Sequence, residues 1–244
     1  MSKIWNSIKI TPVNPSVVFS LKNKSFLTRK LAGIALHFII RNTYSKLTVN
    51  PRFYENTFVL NNLHSLLPKG SKVLDIGSAE SDFPLYLYAS GFEVTPFDQR
   101  EYPLLPSVQG DAMKLEEYFH PASFDAISVV STIEHIGIGA YGDAKGSVTF
   151  ISLINQWKGF LKSGGYLLLT LPVTSFETRR EPGQWVVNLA SFKNSLAESN
   201  GIVISEKLVV ENKALARGWE EIPVNAGSDF FMGVYMCTVQ YPNI

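Results

Sequence analysis

Residues 72–84, with the sequence KVLDIGSAESDFP, constrain the fold of this chain more than any other stretch. The run at 73–76, apolar except for Asp75, is typical of a buried strand, and the small residues that begin with Gly77 lead into a run compatible with a helix. A turn of small residues between a strand and a helix lets backbone N–H groups approach a ligand, because few side chains stand in the way. The stretch predicts a strand, a tight turn and a helix, with either an ordinary connection or a ligand site at the turn.

The rest of the chain continues this alternation of strands and helices. The segment at 166–173, YLLLTLPV, is apolar throughout, as is typical of a strand buried on both faces of a parallel sheet. The alternation predicts a doubly wound, Rossmann-like α/β sheet. Near the end of the chain no room remains for a helix after the last strand, which predicts an antiparallel closing hairpin. Further strands are predicted at about 92–98, 124–131, 202–210 and 229–241 and around Val108, and helices at about 52–67, 82–90, 114–119, 147–162 and 189–199.

The charge is distributed unevenly along the chain. Residues 1–54 carry nine of the 22 Lys and Arg residues and no Asp or Glu, which leaves residues 55–244 with a net charge of −8. We interpret residues 1–50 as a basic arm with one amphipathic helix, at about 27–47, and residues 51–244 as the main domain. The arm could approach anionic lipid, a phosphorylated substrate or nucleic acid, or it could fold back on the acidic domain.

The apolar core of the arm helix has ten residues, which is half of what a membrane span needs. No secretory signal is recognisable, so a cytoplasmic location is expected, with peripheral contact to the inner membrane face through the arm. The arm lacks a platform of interleaved aromatic and basic residues, which disfavours nucleic acid as a partner. The single cysteine, Cys237, excludes an intramolecular disulfide, and the four histidines lack metal-binding spacing, so no metal site is expected.

Polar residues follow several of the predicted strands. In an open parallel sheet, ligands bind beyond the carboxyl ends of the strands, where the strand order reverses. Asp98 ends the second strand 21 residues after Gly77, near the spacing at which an acid meets the hydroxyl pair of a ribose. The pair Asp111–Ala112 follows the third strand, and residues 131–135, STIEH, follow the fourth. Together these strand ends predict a ligand pocket.

These motifs resemble those of the class I S-adenosylmethionine-dependent methyltransferases. The matching segments lie within residues 52–241 and read VLDIGSAES, FEVTPFD, QGDAMKL, FDAISVVSTIEHIG and LKSGGYLLLTLP. The resemblance implies a sheet of seven mostly parallel strands with the last strand antiparallel, and S-adenosylmethionine as the cofactor. A narrower resemblance, in STIEHIGIGAYGD, is to bacterial methyltransferase-like proteins linked to the assembly of surface polysaccharides.

The resemblance also implies roles for individual residues. Asp75 and the Gly77 turn would hold the methionine part of the cofactor, Asp98 its ribose, and Asp111 with the backbone of Ala112 its adenine. Tyr54 resembles an aromatic residue that closes over the methionyl end, and it can equally be a core or surface tyrosine. The full set of implied cofactor residues is Tyr54, Asp75, Gly77, Ala79, Asp98, Asp111, Ala112 and Ser131.

The first motif departs from the family at two positions. Ala79 and Ser81 stand where the family usually has glycine. Both are small, so a cofactor could still approach closely. A left-handed backbone at Ala79, however, would cost about 1 kcal/mol or more, so we expect weaker cofactor binding if that conformation is required.

Methyl transfer to a hydroxyl needs an acceptor held in line with the methyl group and a base that removes a proton. His135 is a candidate base because imidazole exchanges protons near neutral pH. Glu134 could orient His135 or bind the acceptor, or the two could form a structural pair, and Asp143 is an alternative base. The segment at 174–187 is expected over the acceptor site, where its basic and aromatic residues could hold an anionic or sugar substrate: Arg179, Arg180 and Trp185.

The sequence therefore predicts a methyltransferase that acts on a hydroxyl of a sugar, a glycan or another small acceptor. A non-catalytic cofactor-binding or regulatory protein is one alternative. A nicotinamide-dependent oxidoreductase is another, and the absence of a GxGxxG motif argues against it, because a pyrophosphate needs that closer approach to the backbone.

Overall fold

A computed structural model of the chain describes residues 50–139, 149–212, 218–225, 227 and 229–242. The predicted arm lies outside the described residues except for Asn50, and so does the candidate base Asp143. In the part of the chain that is described, no helix combines the length and the apolar character that a bilayer crossing requires.

The described residues form helices and strands that alternate up to the middle of the chain, as predicted. The helices are α1 (Arg52–Leu66), α2 (Phe83–Ala89), α3 (Phe150–Lys158) and α4 (Leu189–Glu198). The strands are β1 (Lys72–Ile76), β2 (Glu93–Asp98), β3 (Val108–Gln109), β4 (Phe124–Val130), β5 (Leu161–Thr174), β6 (Arg179–Glu181), β7 (Gln184–Asn188), β8 (Ile202–Asn212), β9 (Gly218–Ile222) and β10 (Gly233–Gln240). Two 3₁₀ turns occur, at Leu115–Glu117 and Ile133–His135.

The main sheet has the strand order β3-β2-β1-β4-β5-β10-β8-β9. The first five strands of this order are parallel to one another, and β10, β8 and β9 are each antiparallel to the strand before. The predicted doubly wound sheet with an antiparallel end is therefore confirmed. Three strands go beyond the seven that were expected: β9 at the edge, and the hairpin of β6 and β7, which joins the end of β5.

Helices cover both faces of the sheet. Alternate residues of the central strands point to opposite faces, so these strands bury side chains on both sides. On one face Leu74 and Leu167 belong to a core with α3 and α4, which contribute Trp157 and Phe192. On the other face Val73 and its neighbours pack against α1 and α2. This arrangement explains why β4 and β5 read as apolar runs rather than as alternating sequences.

Strand β5 begins five residues before the predicted start at 166. Leu161 already pairs with Phe124, the register then shifts, and pairing resumes at Tyr166 opposite Ala126. The SGG segment at 163–165, which directly follows the helix predicted at about 147–162, is thus a bulge within the strand, with Gly164 in a left-handed conformation at φ +79°. Helix α3 is correspondingly shorter than the predicted 147–162.

Helix α3 holds the loop that follows β3. The indole Nε1 of the fully buried Trp157 donates to the carbonyl oxygen of Ala112 at 2.8 Å, and Gln156 donates to the carbonyl oxygen of Met113 at 2.6 Å. The segment 114–119, predicted to be a short helix, forms only a 3₁₀ turn here. Two hydrogen bonds from α3 therefore fix the position of the backbone that follows β3.

Candidate functional site

An open cleft lies at the carboxyl ends of β1, β2 and β4, where the strand order turns back between β1 and β4. The space between its walls, with the open mouth included, is about 880 Å³. The cleft is lined by Arg52, Ile76, Gly77, Glu80, Ser81, Phe97, Asp98, Gln99, Arg100, Gly110, Asp111, Ala112, Val130, Ser131, Thr132, His135 and Ile136.

Gly77 begins the turn after β1 with φ +86°, a conformation that favours glycine. A Cβ atom at this position would lie 2.1 Å from Oγ1 of Thr132, so only glycine allows the two turns to meet. Ala79 does not have a positive φ, and the strain expected there does not arise. Its N–H donates to Oδ2 of Asp98 at 3.1 Å.

Asp98 closes the other side of this turn. Besides the bond from Ala79, its Oδ1 accepts from the N–H of Arg100 at 3.0 Å, and the side chain is 14% exposed. A carboxylate offers about four lone-pair sites, so two hydrogen bonds from the backbone leave acceptor capacity for a pair of ligand hydroxyls. The two backbone hydrogen bonds orient the carboxylate and leave lone pairs available for a ligand.

Asp75 lies beneath the turn and does not line the cleft. It is 3% exposed, and its Oδ1 accepts a hydrogen bond from Ser128 at 2.5 Å. Burial raises the pKa of Asp75 to about 7, although the hydrogen bond from Ser128 opposes this shift. The structure thus places Asp75 in a buried hydrogen bond that joins β1 to β4 below the cleft, and not among the residues that line it.

The far end of the cleft is formed by residues 110–112. Oδ1 of Asp111 accepts from the N–H of Met113 at 2.9 Å, and the carbonyl of Ala112 is held by Trp157. A Cβ atom on Gly110 would lie 2.5 Å from the ring of Tyr118. The sequence analysis did not select Gly110, although its position directly before the predicted Asp111 was a usable signal.

The end of β4 is held by the first turn of α1, which the sequence analysis also missed. Ser131 has φ +42°, a strained value for a residue other than glycine, and its Oγ donates to Oε1 of Glu55 at 2.8 Å. Nη1 of Arg52 donates to the carbonyl oxygen of Val130 at 2.8 Å and lies 3.2 Å from Oε2 of Glu55. The signal in the sequence was a charged pair, three residues apart, at the start of an otherwise amphipathic helix.

Glu134 and His135 follow in the 3₁₀ turn after β4, but only His135 lines the cleft. Glu134 is 1% exposed, and within the described residues its Oε2 has no hydrogen-bond partner. Burial, reinforced by the nearby charge of Glu55, raises the pKa of Glu134 to about 8. At neutral pH the protonated form of this carboxyl group is favoured.

The imidazole of His135 is oriented from both sides. Its Nδ1 lies 2.5 Å from the carbonyl oxygen of Gly183, in the turn between β6 and β7, and its Nε2 lies 3.8 Å from Oε1 of Glu134. A carbonyl oxygen only accepts hydrogen bonds, so Nδ1 must carry the proton. In the neutral ring, Nε2 is then the atom that can accept a proton.

The predicted acceptor segment at 174–187 forms the β6–β7 hairpin beside His135. Arg180 donates to the carbonyl oxygen of Ile138 at 3.3 Å and lies over the ring of Trp185 at 5.8 Å. Arg179 is paired with Glu181 and lies over Phe231. None of these side chains is part of the cleft lining.

Tyr54 also lies away from the cleft lining. Its ring packs partly buried against the core on the α1 side of the sheet, and its hydroxyl donates to the carbonyl oxygen of Trp219 at 3.4 Å. The predicted Asp98, Asp111 and His135, in contrast, line one cleft. Across the described ranges, no group of three or more His, Cys, Asp or Glu residues is arranged to hold a metal ion.

Comparison with solved structures relates this architecture to known proteins. Phosphoethanolamine N-methyltransferase 2 of Haemonchus contortus superposes with a TM-score of 0.55 at 16% identity, over 78% of this chain and 53% of that protein. An S-adenosylmethionine-dependent methyltransferase of Archaeoglobus fulgidus superposes with a TM-score of 0.53 at 15% identity, over 76% and 94% of the two chains. The fold is that of the class I methyltransferases. This chain spans about half the length of the Haemonchus enzyme.

Two further comparisons qualify this result. The [4+2]-cyclase SpnF has the same fold, with a TM-score of 0.54 at 14% identity over 76% of this chain and 80% of its own, so the fold alone does not determine the reaction. Residues 105–183 match a family described as Caenorhabditis protein of unknown function, DUF268, which covers less than half of the chain. No curated protein matches the chain in sequence.

Replacing Glu134 with Gln should flatten the dependence of stability on pH. Because the folded pKa of Glu134 is about 8 against an ordinary value of 4.5, the folded state keeps a proton that the unfolded chain releases between these values. The free energy of unfolding should therefore fall as pH rises through this window, by at most about 1.4 kcal/mol per pH unit for this group. Urea unfolding of wild type and Glu134→Gln between pH 5 and 8 measures the difference.

Glu198→Gln, on the exposed face of α4, is the matched control, and its slope should equal that of the wild type. Asp75 contributes to the slope of all three proteins below about pH 7, so the comparison isolates Glu134. Equal slopes for wild type and Glu134→Gln would contradict the buried, protonated state of this carboxyl group.

Proposed function

We propose that this chain is an S-adenosylmethionine-dependent methyltransferase that methylates a hydroxyl group of a sugar, a glycan or another small acceptor. The observation that carries the cofactor assignment is Asp98, held by two backbone N–H groups at the mouth of the Gly77 turn. A carboxylate so placed fits a cis-diol, and the chain shares its fold with an enzyme solved in complex with S-adenosylmethionine and with a methyltransferase that depends on this cofactor.

The cleft also fits the rest of an adenosyl cofactor. Gly77 and Ser81 leave space at the turn, while Asp111 and the anchored backbone of Ala112 offer polar groups at the far end. When bound, the cofactor supplies an electrophilic methyl group on a sulfonium. The protein's own contribution is to bind and orient both substrates and to remove the proton of the acceptor hydroxyl.

His135 is the residue best arranged to accept that proton. Gly183 fixes the proton of the ring on Nδ1, which leaves Nε2 basic, and the ring lines the cleft. A candidate base in the cleft supports a hydroxyl as the acceptor, because a hydroxyl group gives up its proton less readily than a thiol does. The adjacent hairpin, with Arg180 and Trp185, is suited to polar or sugar rings.

The alternative of a non-catalytic cofactor-binding protein predicts the same cleft without turnover. SpnF, a [4+2]-cyclase, is an example of this fold in a protein that is not named as a methyltransferase. The expected membrane contact and location of the arm also stay predictions, because they concern residues outside the described part of the chain. The experiments below therefore separate cofactor binding from catalysis.

Isothermal titration calorimetry of the purified chain with S-adenosylmethionine, S-adenosylhomocysteine and NAD tests the class of cofactor. We expect saturable binding of both adenosyl compounds at one site and none of NAD, because the turn lacks the glycines that a pyrophosphate requires. Binding of NAD alone would contradict the proposal and favour an oxidoreductase.

Asp98→Ala should weaken S-adenosylhomocysteine binding by about 10- to 100-fold, the usual effect of losing hydrogen bonds to a charged group. Glu93→Ala is a matched control, because Glu93 begins the same strand, is exposed and lies at the opposite edge of the sheet. Calorimetry should show wild-type affinity for the control. An unchanged affinity in Asp98→Ala would remove the ribose assignment.

His135→Ala should lower turnover by about 100-fold or more while it retains cofactor affinity, as expected for the loss of a general base. Turnover is measured as release of S-adenosylhomocysteine with a panel of sugars and other hydroxylated acceptors. His120→Ala, at an exposed position outside the cleft, is the control and should be as active as wild type. Full activity of His135→Ala would show that the Glu134–His135 pair is structural.

A further inference from the structure

One face of the β6–β7 hairpin adjoins the turn that contains the candidate base. Arg180 lies opposite Trp185 in the register of the hairpin. Since successive residues of a strand point to opposite faces, the side chain of Arg180 lies on the face away from Arg179. Nη2 of Arg180 donates to the carbonyl oxygen of Ile138, three residues after His135. The face with Arg180 and Trp185 is therefore the one that meets the turn after β4.

Arg180 differs from other arginines in and beside the cleft in its partners. Three of them lie 3.2 Å or less from a carboxylate oxygen: Arg52 from Glu55, Arg100 from Glu80, and Arg179 from Glu181. Arg180 is exposed, its guanidinium lies 5.8 Å from the centre of the Trp185 ring, and its hydrogen bond goes to a carbonyl oxygen. Among the described residues no Asp or Glu pairs with Arg180, so no carboxylate there neutralises its charge.

The hairpin also keeps this guanidinium near the base. Gly183, whose carbonyl oxygen accepts from Nδ1 of His135, follows Arg180 by three residues in the same hairpin. Three residues of extended backbone span at most about 10 Å. One small acceptor can therefore reach His135 with a hydroxyl group and Arg180 with a second polar group.

The guanidinium of Arg180 is suited to an anion. Its N–H donors lie in the plane of the group and match the paired oxygens of a carboxylate or a phosphate. The contact with Trp185 and the hydrogen bond to Ile138 restrict the side chain, so less conformational freedom is lost when a ligand binds. A neutral acceptor would make no use of the charge.

We propose that Arg180 binds an anionic group of the methyl acceptor, a carboxylate or a phosphate, and so places a nearby hydroxyl group of the acceptor at His135. The acceptors of this chain are then acidic or phosphorylated sugars rather than neutral ones. This inference rests on the proposed function and selects, from the acceptors that it allows, those that carry a negative charge.

The experiment compares three probes that differ at one carbon atom: glucose, glucuronate and glucose 6-phosphate. Dissociation constants are measured by NMR titration of the full chain saturated with S-adenosylhomocysteine. Wild type should bind at least one of the two anions about tenfold more tightly than glucose, the usual effect of a charge-assisted hydrogen bond. The anion that shows the preference identifies the bound group as a carboxylate or a phosphate.

In Arg180→Gln the preference should fall to within about twofold, because the amide can still donate to Ile138 but carries no charge. Arg180→Lys should retain part of the preference, since an ammonium keeps the charge and loses the planar fork. Arg179→Gln is the matched comparison on the opposite face of the hairpin, and it should keep the full preference. Circular dichroism verifies that each variant is folded.

Four results would overturn the inference. They are a wild type without preference for either anion, a wild type that binds none of the three probes, a preference that survives in Arg180→Gln, and a preference that Arg179→Gln abolishes as well. Each of these leaves the proposed function intact as long as the chain binds S-adenosylhomocysteine.

Titration of the chain without S-adenosylhomocysteine separates the two claims from the other side. A chain that binds no S-adenosylhomocysteine contradicts the proposed function, and with it the role of the bound anion as a methyl acceptor. A preference for anions that depends on Arg180 in that unloaded chain would still establish the anion site itself.

Discussion

The contact between Gly77 and Thr132 joins the two turns on which the cleft depends. One turn follows β1 and the other follows β4, the neighbouring strands between which the strand order reverses. A Cβ atom on Gly77 would overlap the side chain of Thr132, so the two turns can lie this close only because residue 77 has no side chain. The ends of β1 and β4 thus form one continuous rim, which Asp98 joins through its hydrogen bond from Ala79.

Below this rim the protein buries three carboxyl groups with one arginine beside them. Asp75, Glu55 and Glu134 each lie almost out of contact with water, and burial raises the pKa of each. Burying three carboxylates would be costly, and the protein reduces this cost by favouring protonated forms and by hydrogen bonds from Ser128 and Ser131. Burial thus shifts the carboxyl groups beneath the cleft toward their neutral forms.

Much of this arrangement could be predicted from the sequence, because periodicity and turn residues act locally. The parallel core, the antiparallel end and the polar strand ends at Asp98, Asp111 and His135 all follow from short segments. The bulge in β5 could not be predicted, since SGG is equally compatible with the end of a helix. Arg52 and Glu55 were missed because their partners, Val130 and Ser131, lie more than seventy residues away.

The hydrogen bond between His135 and Gly183 ties the orientation of the imidazole to the position of the β6–β7 hairpin. The carbonyl that selects the tautomer of the ring belongs to the turn of a two-stranded hairpin, which joins the main sheet through only two residues of β7. A displacement of this hairpin would remove the acceptor of the Nδ1 proton and release the ring from its preferred tautomer. A mutation that loosens the hairpin would therefore also alter the proton acceptor of the site.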